Sequence, residues 1–147
     1  MEQDLLVYAY KLLGRRAYTR LGMARKLADK GEPENVETVL DRLTESGYLD
    51  DRAFAQNYIQ SRVANHPSGR RLLETKLRAK GIPMTAIREV LDKIEPEAEE
   101  AVAQNLAKKK AATLKKLEPI ARKRRIFQFL INRGFSSSIA SKYANSD

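Results

Sequence analysis

The chain contains no cysteine and no tryptophan, and its 147 residues include a single histidine. The lack of cysteine excludes disulfides, thiol catalysis and a cysteine-ligated zinc site. No apolar run approaches the roughly 20 residues that span a bilayer, and the amino terminus is acidic where a signal peptide would be basic. With only seven glycines and five prolines, the composition is typical of a mostly helical cytoplasmic protein without a membrane partner.

Catalytic motifs are also missing from the sequence. It contains no phosphate loop, dinucleotide fingerprint, nucleophile elbow or zincin motif. The lone His66 lies in a Pro-containing linker, and the adjacent carboxylates of Asp50 and Asp51 suit a helix start better than a metal site, because no third ligand accompanies them. We therefore expect a protein that is not an enzyme, with no catalytic residues, cofactor or metal.

Basic residues are concentrated in the last two thirds of the chain. The net charge is +9, to which residues 1–50 contribute −1, residues 51–96 contribute +4 and residues 97–147 contribute +6. Such a field favours a polyanion, most often a nucleic acid, or an acidic protein surface. The alternative is that the charge serves solubility alone.

The motif Leu-x-x-(Lys/Arg)-Gly occurs three times, at residues 27–31, 77–81 and 130–134. Each copy is preceded by apolar residues at helical spacing and followed by another such pattern, and a further helical pattern leads into each unit. No stretch alternates long enough to indicate a strand. The sequence therefore predicts an all-α fold of three tandem three-helix, helix-turn-helix-like repeats at residues 1–49, 50–96 and 97–147. Because units of about 50 residues have thin cores, we expect neighbouring repeats to stabilise one another in an elongated molecule.

Residues 47–54 form the predicted linker between the first two repeats. Gly47 can end a helix in the left-handed conformation, and Asp50 is placed to cap the next helix beside Asp51. Leu49 is expected to pack on Phe54 as a hydrophobic staple. Tyr48 and Leu49 are both predicted to be buried between the two units.

Other helix ends carry their own signals. Thr19, Ser68 and Ser136 are the predicted caps of the second, fifth and ninth helices. Pro33 and Pro83 are expected in the first turns of the third and sixth helices, where a missing N–H has no cost.

Two clusters of basic residues are the candidate binding sites for DNA or an acidic groove. The first cluster lies on one predicted helix and comprises Arg70, Arg71, Lys76, Arg78 and Lys80. The second comprises Lys123, Arg124, Arg125 and Arg133, beside Phe127 and Phe129. The phenylalanines could stack on bases, although their helical spacing also fits core positions. The lysines at 108–110 and 115–116 wind around a helix and indicate a general positive field without a specific site. For any single basic residue, the alternative is an ordinary solvent-exposed charge.

Three stretches resemble the RecX family, bacterial regulators of the RecA recombinase. They are the linker Gly47-Tyr48-Leu49-Asp50-Asp51 followed by Phe54, the basic stretch at residues 68–82, and the stretch at residues 123–135. The chain departs from the family pattern at Gly22, where a glutamate often completes a capping box, and at Glu32, where the other repeats have Ile82 and Phe135. The first repeat is therefore expected to be looser than usual.

The resemblance implies a regulator that binds RecA filaments, contacts single- and double-stranded DNA weakly, and restrains recombinase activity in homologous recombination, DNA repair and the SOS response. We expect the protein to be a monomer. The residues themselves do not identify RecA as the partner. They leave open a helical protein that binds DNA or RNA directly, and a pure protein adaptor. Sequence-specific reading of the major groove is not favoured, because the third helices carry few of the side chains that pair with base edges.

Overall fold

All regular secondary structure within residues 1–146, the part of the chain that the computed structural model describes, is α-helical. This part contains nine helices, three in each repeat. They are α1 Glu2–Leu13, α2 Arg20–Ala28, α3 Pro33–Glu45, α4 Asp51–Asn65, α5 Arg70–Ala79, α6 Met84–Leu91, α7 Pro96–Ala112, α8 Pro119–Asn132 and α9 Ser137–Ala144. The predicted all-α class with three-helix repeats is confirmed.

Side-chain caps begin α2, α4 and α9 as the sequence predicts. The capping oxygens accept hydrogen bonds from the Gly22 amide to Thr19 (3.0 Å), from the Ala53 amide to Asp50 (3.1 Å) and from the Ile139 amide to Ser136 (3.2 Å). Each such bond stabilises its helix by about 1 kcal/mol. Pro33 is the first residue of α3, whereas Pro83 lies one residue before α6.

The predicted cap at Ser68 is wrong, because α5 begins at Arg70. The Ser68 hydroxyl is buried and donates to the carbonyl of His66 at 2.8 Å. Gly69 takes the cap position because a side chain there has no room: a Cβ would lie 2.5 Å from the carbonyl of Gly134. The close approach of two backbones, which the local sequence does not encode, therefore decides this helix start.

The linker after α3 confirms one burial prediction and contradicts another. Gly47 has φ +82° and ends the helix, and the amides of Tyr48 and Leu49 both donate to the carbonyl of Leu43. Leu49 is 2% exposed, whereas Tyr48 is 56% exposed and packs edge-on against Tyr10 at 5.3 Å between ring centroids. The prediction that both would be buried is therefore wrong for Tyr48, whose ring lies at the surface against Tyr10.

The chain divides into two compact units, one of residues 1–58 and 77–88 and the other of residues 59–76 and 89 onward. The division falls within α4, α5 and α6. In the first unit a core cluster is formed by the first repeat, Leu49 included, and in the second unit by the third repeat. The boundaries 1–49, 50–96 and 97–147 of the repeats stay a prediction.

Replacing Leu77 by Ala tests the core position that the repeated motif predicts. Leu77 is fully buried, so the variant should lose about 2–5 kcal/mol of unfolding free energy through lost burial and a residual cavity. Urea denaturation of the full chain measures the change. A midpoint within error of the parent protein would show that this position is not part of a packed core.

Two glycine substitutions separate backbone strain from steric overlap. Gly47 and Gly81 have φ +82° and +83°, but a Cβ on Gly47 meets nothing within 4 Å, whereas one on Gly81 lies 2.2 Å from Leu21 Cδ2. Gly47→Ala should cost about 1–2 kcal/mol from left-handed strain alone. Gly81→Ala should cost at least about 1 kcal/mol more because Leu21 must move. If denaturant melts show the same loss of unfolding free energy for both variants, the close packing of Gly81 on α2 would be contradicted.

Candidate functional site

Two hydrogen bonds from backbone to carboxylate join consecutive repeats. The amide of Arg20 donates to Asp51 Oδ1 at 2.9 Å, and the amide of Arg70 donates to Glu99 Oε2 at 2.7 Å. Each arginine is the first residue of its helix, where the N–H has no acceptor within the helix and the helix dipole favours a negative charge. The first helix of a repeat therefore caps the second helix of the repeat before it.

The two joints occupy matching positions in the repeat. Asp51 and Glu99 each lie four residues before a fully buried alanine, Ala55 or Ala103. The two arginines each lie seven residues before the first leucine of the repeated motif. The joint is thus a repeated feature of the chain.

The guanidinium of Arg20 is bound to the third helix of its own repeat. It contacts the carboxylates of Glu37 and Asp41, each at 2.7 Å, and donates to Thr44 Oγ1 at 2.9 Å. The hydrogen bond to Asp41, followed by the interactions with Glu37, raises the pKa of Arg20. Glu37 and Asp41 are four residues apart on α3 and so share one side of the helix. The spacing of these two carboxylates is a signal in the sequence for a basic partner. The sequence-based predictions did not include their pairing with Arg20.

Arg70, assigned to the first basic cluster, has the corresponding contacts in the second repeat. Its guanidinium donates to the carbonyl of Leu91 at 2.7 Å and is paired with the carboxylate of Asp92. Together with the bond from its amide to Glu99, these contacts place Arg70 at the centre of the joint. Its role in binding stays a prediction, but its charge is already compensated within the chain.

Arg133, assigned to the second cluster, also lies at this joint. Its carbonyl accepts from the Gly69 amide at 2.7 Å, and its guanidinium donates to the carbonyl of Pro67 at 3.2 Å. The guanidinium also stacks 4.9 Å from the ring centroid of Phe129. These contacts tie the end of α8 to the loop before α5.

The rest of the first cluster divides into exposed and engaged side chains. Arg71, Lys76 and Arg78 are exposed on α5, and within residues 1–146 their side chains make no hydrogen bond or ion pair. Arg71 and Arg78 are about two turns apart and face the same side of the helix, from which Lys76 is rotated by about 140°. Lys80 is half-buried, with its Nζ 5.3 Å from the ring centroid of Tyr58.

The rest of the second cluster is exposed on α8. In the described part of the chain, the side chains of Lys123, Arg124 and Arg125 have no hydrogen-bond or ion-pair partner. Phe127 and Phe129 are half-buried and pack against the core of the third repeat, which leaves less of their rings for base stacking.

A groove between α7 and α8 brings together basic residues that the sequence analysis treated separately. This α7–α8 groove has a volume of about 560 Å³. It is lined by Lys108, Ala111, Ala112, Lys115, Pro119, Arg122, Lys123, Ile126, Ala144 and Ser146. The four cations come from α7, the following loop and α8, so a shared site could not be found from spacing along one helix.

The described residues offer no metal site and no membrane span. No group of three or more His, Cys, Asp and Glu side chains within residues 1–146 is arranged to hold a metal ion. Of the two adjacent carboxylates, Asp50 caps α4 and Asp51 binds the start of α2. None of the described helices combines the length and apolar character needed to cross a bilayer.

These features define a tandem helical-repeat protein whose second and third repeats expose cations. Models of the first, second and third three-helix domains of RecX match residues 6–43, 50–91 and 97–143. The chain therefore belongs to the RecX family, and the resemblance noted in the sequence is confirmed.

Several relatives of this chain are named regulatory protein RecX. That of Pelodictyon phaeoclathratiforme is 39% identical over 131 residues, which cover 88% of this chain and 80% of the relative. That of Mycobacterium marinum is 38% identical over 141 residues, or 95% of this chain and 82% of the relative. The chain is thus a member of a family of regulatory proteins.

Crystal structures share the fold. A regulatory protein RecX superposes with a TM-score of 0.89 at 25% identity, covering 99% of this chain and 72% of that one. RecX from Lactobacillus salivarius gives a TM-score of 0.90 at 19% identity over 97% of this chain and 93% of that one, a likeness of fold alone.

Substitution of Asp51 tests the first joint. Asp51→Ala leaves the amide of Arg20 without its acceptor and should lower the unfolding free energy by about 1–2 kcal/mol. Asp51→Asn keeps an acceptor oxygen and should lose less. Denaturant melts of both variants measure the difference, and an Asp51→Ala protein as stable as the parent would contradict the joint.

A second carboxylate site makes stability depend on pH. Glu100 Oε1 accepts from Lys142 Nζ and from the Tyr143 hydroxyl, both at 2.8 Å. The bond from Lys142, and then that from Tyr143, lowers the pKa of Glu100 below its ordinary value of 4.5. A carboxylate with a lowered folded pKa contributes stability above its unfolded pKa and loses that contribution as pH falls through the folded pKa.

Glu100→Gln should therefore flatten the acid side of the stability profile. Between about pH 6 and about pH 3 the variant should lose less unfolding free energy than the parent, because the amide does not titrate. Thermal or denaturant melts across this range measure the loss. Identical profiles for the two proteins would show that the Glu100 contacts do not persist in solution.

Proposed function

We propose that this chain binds the RecA recombinase on DNA and restrains recombination and the ATP hydrolysis that accompanies it. The observation that carries the proposal is the match of all three three-helix domains to RecX, together with relatives named as regulatory proteins. Regulation of RecA is what the family resemblance implies. Binding, in this proposal, requires no catalytic group on the chain.

The proposed contacts are the basic residues without internal partners. On α5 they are Arg71, Lys76 and Arg78, and on α8 they are Lys123, Arg124 and Arg125. Because no carboxylate within residues 1–146 pairs with these side chains, their charge is available to phosphates or to an acidic protein surface. We assign Arg70, Lys80 and Arg133 a supporting role, since each already has partners within the chain.

An alternative function is direct binding of DNA or RNA without a recombinase. The net charge of +9 and its concentration in the last two repeats favour this alternative. Under it, affinity for bare nucleic acid should be high and should fall steeply with salt, because released counterions drive binding. Modest affinity for DNA with much tighter binding to RecA on DNA separates the recombinase regulator from the direct binder.

Hydrolysis of ATP by RecA on single-stranded DNA tests the proposal. The protein is added from far below the recombinase concentration up to equal amounts. The rate of ATP hydrolysis should fall when far fewer than one molecule of this protein is present per RecA, because a regulator bound at a few positions acts on many subunits. Unchanged hydrolysis at equal amounts would overturn the proposal.

A triple variant tests the contacts on α5. Arg71→Gln, Lys76→Gln and Arg78→Gln together should weaken binding to RecA on DNA by about tenfold or more, because three charge contacts are lost. Its unfolding free energy should change by less than about 1 kcal/mol, because exposed charges contribute little.

The matched control is a second triple variant in the first repeat. Replacing the exposed residues Arg15, Arg25 and Lys26 by Gln removes the same charge and should weaken binding much less. Equal weakening by both variants would show that net charge alone decides affinity, and the assignment of the α5 residues would be wrong.

A further inference from the structure

The second repeat has a groove that is covered by the start of the third. Its floor includes Ile59 on α4 and Leu73 on α5, and α7 covers it with Ala98, Glu99 and Val102. A space of about 270 Å³ remains under this cover. Here α7 supplies both an apolar surface for the floor and the carboxylate that binds the Arg70 amide.

The α7–α8 groove occupies the matching place in the third repeat. Ala111 lies eight residues after the buried Ala103, as Val63 lies eight residues after Ala55. Ile126 lies four residues before the first leucine of its repeated motif, as Leu73 does in the second repeat. By the same comparison, Lys123 takes the position of Arg70.

The two grooves differ in what lies over them. The described residues that line the α7–α8 groove all come from the third repeat itself, from α7, the loop after it, α8, α9 and Ser146. Four of them are cations, namely Lys108, Lys115, Arg122 and Lys123, and none of the lining residues within positions 1–146 is acidic. Within residues 1–146 these four side chains have no hydrogen-bond or ion-pair partner.

The start of α8 adds to the positive field. α8 begins at Pro119 in the groove wall, and the side chain of Glu118 at its cap position makes no capping bond. The partial positive charge of this helix end and the four cations all favour an anionic occupant. Ala111, Ile126 and Ala144 give the same groove an apolar floor.

We propose that the α7–α8 groove docks an acidic amphipathic helix of a partner protein. Its carboxylates bind the side chains of the groove cations, because Lys123 is the fifth residue of α8 and offers no free first-turn amide like that of Arg70. The chain itself supplies the template, since the first turns of α7 carry Glu97, Glu99 and Glu100 beside Ala98 and Val102. Small apolar side chains fit the floor, and carboxylates meet the cations at the rim. A nucleic acid fits less well, because the groove has no aromatic side chain on which a base could stack.

A peptide with the sequence of residues 95–107 is the probe. It is labelled with a fluorophore, capped at both ends and titrated with the full-length protein, and its anisotropy is measured. The α7 helix of the protein already lines the groove of the second repeat and binds the Arg70 amide there, so the peptide should bind to the third. A control peptide with Gln in place of Glu97, Glu99 and Glu100 should bind at least about tenfold more weakly, because it lacks the charges that meet the rim.

Two protein variants of equal charge locate the site. The groove variant carries Gln at positions 108, 115, 122 and 123, and the control variant carries Gln at positions 25, 26, 109 and 116, which lie outside the groove lining and outside the proposed contacts. The groove variant should lose about tenfold or more in affinity for the peptide, and the control less than about threefold. Ala112→Glu, which adds a carboxylate at an exposed position of the groove, should weaken binding without removing any lysine or arginine.

Three results would overturn the proposal. They are no binding of the peptide to the parent protein, equal weakening in the groove and control variants, and peptide binding that Ala112→Glu leaves unchanged. Binding of an oligothymidylate can also be measured. If the groove variant binds it more weakly, the control variant does not, and the peptide fails to displace it, the groove would be assigned to nucleic acid instead.

Discussion

A carboxylate on the free amide at the start of a helix is the interaction on which the repeat arrangement depends. Three helices of this length enclose a thin core, so each repeat relies on its neighbour. Asp51 and Glu99 provide that support at the starts of α2 and α5, where an unfilled N–H would otherwise need water. Each bond is worth only about 1–2 kcal/mol, but that is a sizeable share of the stability of a small domain.

This joint also decides which cations are available for binding. Arg20 and Arg70 lie at equivalent positions, and their guanidinium groups are bound by the third helix of their own repeat. Lys123 has the same spacing from the motif leucine in the third repeat but is the fifth residue of α8, and within residues 1–146 its side chain has no hydrogen-bond or ion-pair partner. Cations thus serve the fold at the joints, while those of α5 and α8 away from the joints remain available to a partner.

The features that could be predicted from the sequence are those that local chemistry determines. Helix caps at Thr19, Asp50 and Ser136 follow from side-chain oxygens near free amides, and the repeated motif marks the buried leucines of all three repeats. The errors arise where a distant segment intervenes. Ser68 is displaced from its cap by the approach of Gly134, whose position depends on the third repeat.

In the candidate site, too, the local features could be predicted from the sequence and the contacts with distant segments could not. The sequence correctly marks α5 and α8 as basic helices, and Arg71 and Lys123 are exposed as an open contact requires. It did not show that Arg70 and Arg133 are engaged at a joint. Both donate to carbonyl groups, which carry no side-chain signal, and the carboxylate that pairs with Arg70, that of Asp92, lies 22 residues away in the sequence. Tyr48 was misjudged for a related reason, since its ring packs at the surface against Tyr10, which lies in α1.

Amide hydrogen exchange at Arg20 and Arg70 is the most direct test of the joint. First-turn amides normally exchange fast because they lack an acceptor within the helix. We predict that both are protected in the parent protein, and that Asp51→Ala removes protection at Arg20 while Glu99→Ala removes it at Arg70. Fast exchange of both amides in the parent protein would contradict the account.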